Sequence, residues 1–167
     1  MNNRKELIVR LAKAYYNILN VLGLTLNEPD IEYGLKEGLN KFLSNVSIRI
    51  QGKYNIYSAD YVSEKALLQL QKKDKSNLIY EHMIPKNLYI QRPCIEAAKA
   101  GKCYTLFEIE NLLNKYWYIA LITKEEDNIL NSLKLRTKMP KNWDGKNIFA
   151  RYECAKISLI STNNINI

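Results

Sequence analysis

The sequence predicts an α+β fold, a helical amino-terminal region followed by a region of mixed strands and helices. Three observations predict it. Apolar residues recur at three- and four-residue steps through the first part of the chain, as on one face of a helix. Farther on, short runs rich in β-branched and aromatic residues occur at 78–84 and 116–122, as in strands. Hydrophobic residues make up 47% of the 167 residues, with only 6 Gly and 4 Pro, a composition that buries a core. That length suffices for one domain with a core, or for one core plus a helical extension.

Arg4 to Leu22 reads as an amphipathic helix through Ile8, Leu11, Tyr15, Ile18, Leu19 and Leu22, with Gly23 ending it. A second helix starts at Asp30, with Ile31, Leu35, Leu39 and Leu43 on one stripe. Val46 to Ile50 alternates apolar and polar residues and reads as a strand. Ala59 to Leu70 returns to helical spacing, and the lysine-rich stretch from Gln71 to Ser76 reads as a surface loop. A boundary there divides the chain into 1–73, mostly helical, and 74–167.

Asn77 to Ile84 is expected as a strand that Pro85 stops. Leu88 to Ala100 follows as a short helix, broken near Arg92-Pro93 and closed by Gly101. Thr105 and Thr123 each have a Glu three residues on, Glu108 and Glu126, which predicts two capping boxes and a helix after each. Tyr116 to Ile122 is a strand between them, and Lys124 to about Leu133 the second of those helices. Asn142-Trp143-Asp144-Gly145 reads as a turn. A short helix near Ile148 to Ala155 and a strand from Ile157 to Ile160 complete the chain.

The net charge of +8 gives a positive field suited to nucleic acid, an anionic surface or acidic proteins. Cys94, Cys103 and Cys154 are odd in number and form no C-x-x-C pair, which argues against a zinc knuckle or a disulfide framework. No signal-peptide core and no apolar segment of membrane-spanning length is read, so the expected location is the cytoplasm, with no membrane partner. The amino-terminal helices are read as packing elements or as a surface for a protein partner.

The single histidine stands in Leu78-Ile79-Tyr80-Glu81-His82-Met83-Ile84-Pro85. A neutral imidazole can take a proton from water near pH 7. Glu81, Asp127 and Asn131 offer oxygen ligands that suit Mg2+ or Mn2+. Asp127 and Asn131 lie four apart on the helix of Tyr118-Ile119-Ala120-Leu121-Ile122-Thr123-Lys124-Glu125-Glu126-Asp127-Asn128-Ile129-Leu130-Asn131. An acidic first turn at 125–127 is also what a helix dipole favours, whatever the function.

Strand with Glu-His, second strand, then helix: this order resembles the HNH, or His-Me finger, endonucleases, whose core is a ββα-metal unit. The resemblance implies a divergent ββα unit in 74–167, with His82 as general base and Glu81, Asp127 and Asn131 as ligands of a divalent metal. Two features depart from the family pattern. The paired helix histidines are replaced by Asp127 and Asn131, and Asn114 is the nearest counterpart of the middle asparagine. Seven basic residues against two acidic ones between Lys134 and Lys156 form a cluster suited to a phosphate backbone. Lys86, Arg136, Lys138 and Arg151 are the expected phosphate contacts.

The expected function is therefore a metal-dependent endonuclease acting on DNA, with RNA open, of the kind found in phages, restriction systems or toxins. The alternative is a non-catalytic protein, binding nucleic acid or inhibiting an acidic partner through its basic face.

Overall fold

The computed structural model describes residues 4–25, 28–51 and 56–165, with the side chains of 46–51 and 57 outside that description. The fold is α+β, and its backbone divides into two units, each made of two chain segments. The first comprises Met1–Ser44 and Lys86–Trp117; the second comprises Asn45–Pro85 and Tyr118–Ile167. The boundary read from the sequence at 73/74 falls inside the second unit.

The first unit is helical. Helix α1 (Arg4–Leu24) buries Ile8, Leu11, Ala12, Tyr15, Leu19 and Leu22 and packs on α4 (Arg92–Lys99) and α5 (Leu106–Tyr116). By length and composition α1 could also cross a membrane, contrary to the sequence reading, but here its apolar stripe has protein partners. Helix α2 (Pro29–Gln51), which belongs to this unit as far as Ser44, begins with proline, whose missing N–H is harmless at a first turn. It continues through Val46–Ile50, which the sequence reading made a strand. Five alternating residues do not distinguish the two periods, and the helix already running from Pro29 carries on. Before α4 the chain makes a π-helical turn, Asn87–Gln91, where the Arg92 N–H donates to the Asn87 carbonyl. Pro93 follows at once, without an N–H to continue regular i−4 bonding. Trp117 is buried, and its Nε1–H donates to the Leu43 carbonyl at 3.2 Å.

The second unit is built on a four-stranded sheet in the order β2-β3-β1-β4: β1 is Tyr61–Ser63, β2 Leu78–His82, β3 Ile119–Thr123 and β4 Leu159–Ser161. Strand β1 pairs parallel with β3 and antiparallel with β4, and β2 pairs antiparallel with β3. The expected helix from Ala59 therefore starts later, as α3 (Glu64–Gln71), because residues 61–63 are claimed by strands on both sides. Two further helices, α6 (Lys124–Ser132) and α7 (Ala150–Ala155), complete the unit.

Strand β3 is buried on both faces, and one core cluster lies on the α6 and α7 side. Met83, Ala120, Ile122, Leu130, Leu135, Tyr152, Ala155 and Ile157 form it, with Ile79, Tyr61 and Leu159 packed against them. Both predicted capping boxes are present. That of α6 is buried: Glu126 Oε2 accepts the Thr123 N–H at 2.9 Å and the Ser63 hydroxyl at 2.6 Å. Ser63 Oγ in turn caps α3 by accepting the Ala66 N–H. One carboxylate thus joins the starts of two helices.

Candidate functional site

Strand β2 is antiparallel to β3, and α6 leaves β3 without a loop and packs on both strands. The β2-β3-α6 order is the one read from the sequence. The chain between the two strands lies largely in the first unit.

Side chains alternate across a strand. Ile79 and Met83 belong to the core under α6 and α7, so Glu81, between them in the alternation, points to that face. His82 points to the other. The ladder pairs His82 with Ile119, and the Met83 N–H donates to Tyr118 beyond it, so no bend turns the imidazole back. The structure therefore puts Glu81 and Asp127 on one face and His82, half-buried, on the opposite one. Among the described residues no three His, Cys, Asp or Glu side chains gather as a metal cage.

Arg151 organises the shared face. It is fully buried, with Glu81 beside it. Its Nε donates to the Met83 carbonyl at 2.9 Å, and its Nη1 to the carbonyls of Leu135 at 2.7 Å and Arg136 at 2.9 Å. Its Nη2 donates to Glu81 Oε1 at 2.9 Å and to the His82 carbonyl. Burial pushes the Glu81 carboxyl above its ordinary range, while the charge of Arg151 pulls it down and that of Asp127 raises it further. The last effect marks Glu81 and Asp127 as electrostatic neighbours.

Asp127 is 1% exposed. Its Oδ2 accepts from Lys124 Nζ at 3.1 Å. Its buried Oδ1 has no hydrogen-bond partner among the described residues and faces Arg136 Nε at 3.5 Å. Asn131 is exposed one turn on, and Asn114 lies on α5 in the first unit.

Two expected phosphate contacts are displaced from that role. Arg151 is enclosed by the acceptors just named. Lys86 is buried, and its amine donates to the carbonyl and side-chain oxygens of Asn40; burial lowers its pKa. Arg136 and Lys138 are exposed, as is Lys124, which the sequence reading did not single out. The role of Arg151 had one sequence signal: it shares the inward stripe of α7 with Tyr152 and Ala155, and a cation on such a stripe needs an acid.

An oxygen donor set of two carboxylates suits a hard cation that completes its shell with water and phosphate oxygens. Asp127 Oδ1, buried and with no hydrogen-bond partner among the described residues, fits such an ion. No protein-family model matches the chain, and no curated protein or solved structure matches it significantly.

Proposed function

We propose that the chain is a metal-dependent endonuclease of the HNH kind, hydrolysing nucleic-acid phosphodiester bonds in the cytoplasm, DNA in preference to RNA. The observation that carries this reading is the placement of Glu81 and buried Asp127 on the α6 side of a β2-β3-α6 unit, with Asp127 Oδ1 lacking a hydrogen-bond partner among the described residues. Those two carboxylates would hold Mg2+ or Mn2+, with Asn131 one turn along α6. A bound divalent cation would polarise the phosphate and stabilise the leaving oxygen.

The chain's own residues supply the rest. Strand β2 is an edge of the sheet. His82 ends it beside Glu81, so a nucleic-acid strand following that edge meets Glu81 on one face and the imidazole on the other. His82 faces away from the two carboxylates, so it would serve as general base only for a water attacking on its own side of that edge. The exposed Lys124, Arg136 and Lys138 attract and orient the phosphate backbone.

A second reading has its own observation. Both carboxylates already have guanidinium partners, Arg151 on Glu81 and Arg136 on Asp127. On that reading the chain is non-catalytic and uses its basic face on nucleic acid or an acidic protein. Supercoiled plasmid incubated with Mg2+ or Mn2+ separates the two, with EDTA, His82→Ala and Asp127→Asn as controls and RNA in parallel. The endonuclease nicks plasmid only with metal and loses at least a hundredfold in rate without His82. DNA retardation with no cleavage in either metal sinks that reading and supports the second.

A further inference from the structure

The two arginines that neutralise the carboxylates are bound in very different ways. Arg151 has no exposed surface and five acceptors, so it is a fixed part of the fold. The side chain of Arg136 is 52% exposed, and its Nε stands 3.5 Å from Asp127 Oδ1, too far for a good hydrogen bond. That oxygen is itself buried and has no hydrogen-bond partner among the described residues. An exposed guanidinium held by charge alone is weakly held.

We propose that Arg136 is an exchangeable counter-ion: it neutralises Asp127 while no divalent cation is bound, and it turns to a nucleic-acid phosphate when a cation takes Asp127 Oδ1. This rests on the cation site proposed above and adds its regulation. Arg136 and the cation compete for one oxygen. A phosphate that engages the guanidinium removes the competitor. Metal and nucleic acid therefore bind with positive coupling, and the coupling is reciprocal. Lys124 keeps its own bond to Oδ2 at 3.1 Å and can stay in place.

The test is equilibrium Mn2+ binding, by electron paramagnetic resonance of free Mn2+, on the full chain, Arg136→Gln and Asp127→Asn. Each is measured alone and with a short duplex carrying non-hydrolysable linkages. For Arg136→Gln without duplex, Mn2+ affinity is expected to rise about fivefold, the scale of one exposed ion pair. The duplex is expected to tighten Mn2+ binding by a similar factor in the unmodified chain and to have little effect in Arg136→Gln. Asp127→Asn is expected to lose the site. Equal or weaker Mn2+ binding by Arg136→Gln, with Asp127→Asn still deficient, overturns the counter-ion role and leaves the cation site standing. Binding unaffected by Asp127→Asn, or absent from every protein, removes the cation site and the exchange with it.

Discussion

A guanidinium with no access to water must find acceptors inside the protein, and Arg151 finds four backbone carbonyls and one carboxylate. It ties the end of β2 to the segment that follows α6. Arg151→Ala would leave those carbonyls unmet and Glu81 buried without its cation, and is expected to cost about 3–5 kcal/mol. Glu81→Gln keeps an acceptor for Nη2 and should cost less. Urea titrations of both variants check this; a loss below about 1 kcal/mol for Arg151→Ala would show that the bonds are dispensable. Thiol reactivity offers a second single-residue measurement. Cys94 is buried, and desolvation pushes its thiol up to about 12, whereas Cys154 is exposed. A thiol-disulfide reagent at neutral pH is expected to label Cys154 in the native protein and Cys94 only after denaturation. Labelling of both at comparable rates would contradict the buried placement.

Helix starts behave differently from buried charges, because their signals are local. Thr105 with Glu108, and Thr123 with Glu126, announce their boxes within four residues, and both form. Thr123→Ala is expected to cost about 1–2 kcal/mol, toward the upper end because its partners are buried. Thr105→Ala, at an exposed box, should fall below it in the same thermal-melt comparison. The Glu108 carboxyl is held below its ordinary range, first by the Thr105 N–H and then by the Thr105 hydroxyl. A depressed carboxylate favours the fold above its unfolded pKa and loses that contribution as pH falls through the folded value. The protection factors of amides in the first turn of α5, taken relative to intrinsic exchange at each pH, are therefore expected to fall on acidification, and Glu108→Gln should flatten that response; protection independent of pH would reject the link. What was not local was not legible. The strand expected at 46–50 was too short to resolve its period from that of a continuing helix. Strand β1 exists because β3 and β4 flank it, and no window around Tyr61 contains them. The β2-β3-α6 order was legible, but the divergence of His82 from Glu81 followed from the ladder running straight past it, and the enclosure of Arg151 depended on contacts with distant carbonyls.

At the scale of the whole chain, charge and connectivity make separate demands. Six of the seven basic residues between Lys134 and Lys156 are exposed, and Arg151 alone is internal. If three or more of them meet phosphates, the logarithm of duplex affinity measured in EDTA should fall with the logarithm of salt at a slope of about −3 or steeper. A flat response would remove the basic face as a nucleic-acid surface. Connectivity leads to the last expectation. A cut at the loop near Ser76 would respect the change in sequence character, yet it would split the second unit, which needs Asn45–Pro85 as well as Tyr118–Ile167. The fragment 74–167 would keep β2, β3 and β4 but lose β1, the strand that joins β3 to β4 in the sheet. It would also lose Ser63, the hydroxyl that donates to buried Glu126 at the start of α6. Its copy of 86–117 would lack α1, against which α4 and α5 bury their apolar sides. Exposed edges and uncovered apolar helices favour association over folding. The fragment is therefore expected to show no cooperative melt and poor amide dispersion, while the full chain shows both. A well-dispersed, cooperatively melting 74–167 would mean that the β2-β3-α6 unit is self-sufficient and that β1 is an accessory to it.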